Sequence, residues 1–105
     1  MTEERLQDIQ SIAMHANTVF SKMYDGFGTT VGFSREPQLP NADIITIDSL
    51  RSEKRIALVV IDEKPGVVAL AQGVRGTEDF TSVEEYPIDS FSSNDVVKAM
   101  ESAFC

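Results

Sequence analysis

Two neighbouring segments of this chain are apolar on both sides of a predicted strand. Residues 55–61 place Ile56, Leu58 and Val60 on one face and Ala57, Val59 and Ile61 on the other. Residues 67–72 repeat the pattern. Strands of this kind belong in the centre of a sheet that is covered on each side. The chain has 105 residues and predicts only two helices, so cover for both sheet faces is its main packing requirement.

The two helices are predicted near the ends of the chain. In residues 3–24 apolar side chains recur at spacings of three and four, which indicates an amphipathic helix that stops at Gly26. The second helix is predicted over residues 93–104, with Ser92 as N-cap and Asp95 at the capping-box position.

Five strands are predicted between the helices, at residues 27–33, 42–48, 55–61, 67–72 and 80–88. Exposed loops are predicted at residues 34–41 and 73–79, a polar connection at 49–54 and a tight turn at 62–66. Pro87 suits an edge strand.

Short connections favour an antiparallel meander, so residues 1–105 predict a single α+β domain in the order α-β-β-β-β-β-α. The predicted core residues are Ile9, Ala13, Ala16, Phe20, Ile56, Leu58, Val60, Val68, Leu70, Val97, Met100 and Phe104.

Charge is strongly unbalanced, with 9 Lys and Arg against 17 Asp and Glu and a formal net charge of -8. Direct nucleic-acid binding is not expected, because it depends on clustered cations. Beyond Gly76 the only cation is Lys98. We expect an acidic patch there that binds a basic surface of another protein, the alternative being a role in solubility alone. The patch residues are Glu78, Asp79, Glu84, Glu85 and Asp89.

The single cysteine, Cys105, forms no intramolecular disulfide and predicts a reducing, cytoplasmic compartment. The first residues are acidic and do not predict a signal peptide, and no apolar run approaches the length of a membrane span. We therefore expect no membrane association.

Candidate chemistry is sparse, and the sequence predicts no catalytic residue, metal or cofactor. Gly26, Gly28 and Gly32 leave a helix and enter a strand, the reverse of a phosphate-binding loop. His15 is the only histidine, too few for a metal site. Adjacent carboxylates such as Glu84 and Glu85 point to opposite faces of a strand and form no catalytic dyad.

These features predict a non-catalytic protein-binding or regulatory module, such as an inhibitor, an immunity factor or a chaperone. The architecture is loosely similar to small secretion-chaperone and immunity-type binding domains. The alternative is a small-ligand binder or an enzyme, with an apolar pocket between helix 1 and the sheet. That pocket would be lined by Phe20, Met23, Phe27 and Phe33.

The apolar sheet faces leave three arrangements open. The helices cover opposite faces, or both lie on one face and another molecule covers the second, or the sheet curls around a pocket. We expect a twofold homodimer. Its predicted interface is the face with Val59, Ile61, Val67, Ala69 and Ala71 rather than the edge strand, where Glu84 and Glu85 would repel their copies.

Overall fold

The computed structural model describes residues 3–36, 42–77 and 80–105. Its helices are α1 (Glu3–Met23) and α2 (Ser93–Phe104), and a short 3₁₀ turn covers Ile88–Ser90. The strands are β1 (Thr29–Glu36), β2 (Ala42–Ser49), β3 (Lys54–Ile61), β4 (Val67–Val74) and β5 (Phe80–Pro87).

All five strands form one antiparallel sheet, and each strand lies beside its neighbour in the chain. This confirms the predicted α+β fold and its order of elements. Neither helix combines the length and the apolar character of a membrane span, as far as the described residues extend.

The register assigns every strand residue to one of two faces. Leu58 lies opposite Ile45 on β2 and Leu70 on β4, and these side chains share the face that we call the helix-side face. Because side chains alternate along a strand, the neighbours of these residues form the other face. We call it the open face, and its aliphatic residues are Ala42, Ile44, Ala57, Val59, Ile61, Val67, Ala69, Ala71 and Val83.

Both helices lie on the helix-side face. α1 packs on β1 and β2, α2 packs on β3 and β4, and the two helices contact each other. A single core cluster joins buried residues of both helices to Ile47, Ile56 and Val68 of the sheet, and every residue predicted as core is buried. The structure therefore has both helices on one side of the sheet, which is the helix placement of the second arrangement considered.

Tyr24 and Glu101 link the two helices, because the Tyr24 hydroxyl donates a hydrogen bond to the Glu101 carboxylate. This bond stabilises the protonated hydroxyl and is the main cause that raises the pKa of Tyr24.

The first strand differs from its predicted limits at both ends. β1 begins at Thr29, because Gly28 has a φ of +65° that a strand residue does not adopt. It then continues through Glu36, where a loop is predicted from residue 34. Arg35 holds this end in the sheet, since its guanidinium lies 2.9 Å from Asp62 Oδ1 and 3.1 Å from Asp43 Oδ2.

The hydrogen bond from Arg35 is the main cause that lowers the pKa of Asp62. Residues 37–41 of the predicted loop, like residues 78 and 79, lie outside the described residues.

The remaining element ends lie close to their predicted positions. β4 extends to Val74 because Gly73 and Val74 continue to pair with β3. The capping box of α2 is confirmed, as the Ser92 N–H donates to Asp95 Oδ2 at 2.9 Å. β5 ends one residue before its predicted limit, and Ile88 is buried in the following turn.

Candidate functional site

The described elements leave the open face without a covering layer, because both helices lie on the opposite side of the sheet. None of its apolar residues belongs to the core cluster. The centre is small and smooth, with Ala57 paired to Ala71 and Val59 paired to Ala69. At the β5 side of this face lies Val83, whose surface is 62% exposed. The open face is thus an apolar surface whose central alanines, Ala57 and Ala71, are themselves buried at 0% and 4% exposure.

The structure places all the predicted self-association residues on the open face, on two adjacent strands. They are Val59, Ile61, Val67, Ala69 and Ala71. Four of them, all but Ala71, line one shallow depression together with Lys64 and Glu85.

Two ion pairs border this apolar centre. At one end the guanidinium of Arg55 contacts the Asp48 carboxylate at 2.7 and 3.1 Å and donates a further bond to the Thr77 carbonyl. Near the other end Lys64 Nζ lies 3.9 Å from Glu85 Oε2, with both side chains largely exposed. Each pair joins one cation to one anion, so the border of the open face carries both signs of charge.

The predicted acidic patch is divided by the geometry of β5. Glu84 lies opposite Leu70 on the helix-side face, whereas Glu85 lies opposite Ala69 on the open face. Asp89 is exposed in the 3₁₀ turn, and Glu78 and Asp79 lie outside the described residues. Alternation along the strand therefore places one carboxylate on each side of the sheet edge.

A groove of about 260 Å³ runs between β5 and α2 on the helix-side face. Leu70 and Ala99 contribute apolar lining, and Glu84, Tyr86 and Lys98 contribute polar lining. The Tyr86 hydroxyl donates a hydrogen bond to Glu84 Oε2 at 2.9 Å, which is the main cause that raises the pKa of Tyr86.

Sequence reasoning missed this groove, since it depends on how far α2 extends across the sheet. The available signal was the alternation of Ser82, Glu84 and Tyr86 along a predicted edge strand.

The residues of the predicted ligand pocket do not line one cavity. Phe20 is fully buried, with its ring centroid 5.4 Å from Phe27 and 5.8 Å from Phe104. Met23 is 54% exposed, and Phe33 lines a separate groove near Leu6. Aromatic rings therefore pack together where the pocket was expected.

The remaining candidate residues form no shared site. His15 and Cys105 are exposed, and no three His, Cys, Asp or Glu side chains of the described segments gather as a metal site would require. Gly26 and Gly28 have positive φ angles between α1 and β1, and a Cβ added at Gly28 would come within 3.2 Å of Leu50. These glycines shape a tight connection.

Comparison with protein-family models, with curated proteins and with solved structures found no match.

Proposed function

We propose that this protein is a non-catalytic protein-binding module that acts as a twofold dimer, with the open face as the dimer interface. The observation that supports the proposal is the apolar open face that the described elements leave without a covering layer. Contiguous apolar surface of this kind marks interaction sites in soluble proteins. An inhibitor, an immunity factor and a chaperone are the classes of binding module that this proposal covers, and the net charge of -8 favours a partner with a basic surface.

The size of the open face suits a dimer. Four strands about 4.8 Å apart and eight residues long at about 3.4 Å per residue give a footprint of about 500 Å². Two such faces together bury about 1,000 Å², which is near the lower limit for a specific interface, and the pleated surface adds to this area.

The chemistry of the open face favours a second copy as its occupant. Sheets pack face to face about 10 Å apart, and small side chains such as Ala57, Ala69 and Ala71 allow that approach. A twofold axis uses the same surface on both copies, so one self-complementary patch suffices. Both ion pairs on the border contain their own counter-charge, so the interface gathers no net charge from them.

The test replaces Val67, which lies on the open face, by glutamate. Sedimentation at low micromolar concentration should show a dimer for the unmodified chain and a monomer for Val67→Glu, because the interface would then bury an unpaired carboxylate.

Met14→Glu is the matched control, since Met14 is an exposed apolar residue of α1 on the other side of the molecule. It should leave the dimer intact. A monomeric unmodified chain, or a dimer that tolerates Val67→Glu, would show that the open face is not the interface.

A further inference from the structure

We infer that β5 binds an extended basic segment of a partner protein by strand addition, and that the groove beside α2 receives side chains of that segment. The inference rests on the proposed protein-binding function but uses a different surface from the dimer interface.

β5 is an edge of the sheet. It pairs with β4 on one side, and none of the described strands lies on its other side. An edge strand presents a row of backbone N–H and C=O groups that another extended chain is able to pair with. Beyond the irregularity where β4 passes from Gln72 to Gly73, residues 82–87 continue in regular register, so an incoming segment meets an uninterrupted alternation of faces. Backbone N–H donors extend through Tyr86, because Pro87 has none.

The two edges of the sheet differ in how far the helices cover them. α1 packs on β1, and the Thr29 hydroxyl of β1 donates to Asn17 Oδ1 of α1 at 2.5 Å. α2 packs instead on β3 and β4, and nearly every residue of β5 is exposed. Most described residues of β1 are exposed as well, Phe33 at 49%, so what separates the two edges is helix packing: α1 packs on β1, and neither helix packs closely on β5.

The groove lies where an added strand needs space. Side chains of an extended segment alternate between the two faces, so every second one would point to the helix-side face beside Glu84 and Tyr86. There it would meet the apolar contribution of Leu70 and Ala99 and a lining that holds two carboxylates, Glu84 and Asp95, against one cation, Lys98.

Charge selects the partner. Glu84 and Glu85 stand at the middle of the edge, one on each face, and Glu85 has the exposed Lys64 at 3.9 Å. A segment with adjacent cations would place one beside Glu84 and the other beside Glu85, where it would compete with Lys64. A second copy of β5 would bring like charges together instead. The favoured occupant is consequently a basic extended segment from a different protein.

The test uses a synthetic peptide as long as β5, of alternating threonine and valine with adjacent lysine and arginine at its centre. Titration into ¹⁵N-labelled protein should shift the amide resonances of residues 82–86 in a saturable way; Pro87 has no N–H and gives no such resonance. The same peptide with alternate backbone nitrogens methylated keeps its charge but loses donors for strand pairing, and should not bind. Shifts confined to other residues, absence of binding, or equal binding by the methylated peptide would overturn the inference.

Variants that each remove one carboxylate charge test the role of Glu84 and Glu85. Glu84→Gln and Glu85→Gln should each weaken peptide binding by about two- to fivefold, as expected for exposed charge pairs. Glu63→Gln removes an exposed carboxylate from the turn between β3 and β4 and should leave binding unchanged. Equal effects of all three substitutions would indicate general electrostatic attraction and would contradict a site at β5.

The two proposals fail separately. The monomer expected of Val67→Glu retains β5 and should still bind the peptide. Loss of the dimer would therefore not abolish peptide binding at β5. An intact dimer that ignores the peptide would remove only this inference.

Discussion

Phe20 and Phe33 have the same side chain and were both expected in one pocket, yet their surroundings differ. Phe20 is fully buried in the core, whereas 49% of the Phe33 surface is exposed to solvent. Phe20→Ala should lower the free energy of unfolding by about 3–5 kcal/mol, because a buried cavity replaces the ring. Phe33→Ala should change it by about 0.5 kcal/mol or less. Urea denaturation at one protein concentration measures both, and similar losses would contradict the burial that separates them.

Apolar periodicity identifies the stripe of α1 but does not rank its members. Phe20 and Met23 lie three residues apart in that stripe, and only Phe20 reaches the layer between the helices, where it meets Phe104. Which residues are buried depends on where α2 packs, and α2 is distant in the sequence. The sequence correctly predicted a set of apolar side chains that belong to the core. It could not predict whether the residues of the expected ligand pocket would surround a cavity.

At the scale of elements, the start of α2 rests on Asp95. Its carboxylate accepts the Ser92 N–H and stands in the first turn of the helix. Asp95→Ala should lower the free energy of unfolding by about 1 kcal/mol, because a backbone donor loses its partner and the helix loses an N-terminal negative charge. Asn94→Ala, at the exposed neighbouring position, is the control and should have a smaller effect. Chemical denaturation measures the free energy of unfolding of both variants. Equal decreases would show that the capping box is not responsible for the effect of Asp95→Ala.

Elements with local signals were predicted to within one or two residues, and those held by distant partners were not. The start of α2 follows from its capping box, and the helix confirms the predicted range 93–104. The far end of β1 depends instead on Arg35 contacting Asp43 in β2 and Asp62 directly after β3. Nothing in residues 34–36 alone signals those contacts.

At the scale of the whole molecule, the proposed dimer makes heat stability depend on protein concentration. If unfolding also separates the copies, a hundredfold rise in concentration should raise Tm by about 5 °C. Val67→Glu should show no such dependence, because a monomer unfolds independently of concentration. Differential scanning calorimetry over a dilution series measures both chains. A Tm of the unmodified chain that stays constant would contradict the dimer.

The sequence predicted the fold but left the helix placement open. Strand order followed from short connections, which act between neighbours in the chain. The contact between α1 and α2 joins opposite ends of the chain, as the bond between Tyr24 and Glu101 illustrates. The open face and the groove beside β5 both result from that contact. The open face was therefore one of several alternatives that the sequence could not choose between, and the groove was missed altogether.

The meander also sets an order of folding. Every strand pair joins neighbours in the chain and closes a short loop, so the hairpins should form early. The contact between Tyr24 and Glu101 spans 77 residues and should come late. During synthesis α2 follows the whole sheet, so β3 and β4 pass through a stage in which their helix-side face has not yet received α2. We expect aggregation to be most pronounced at that nascent stage, when both faces of these strands are exposed.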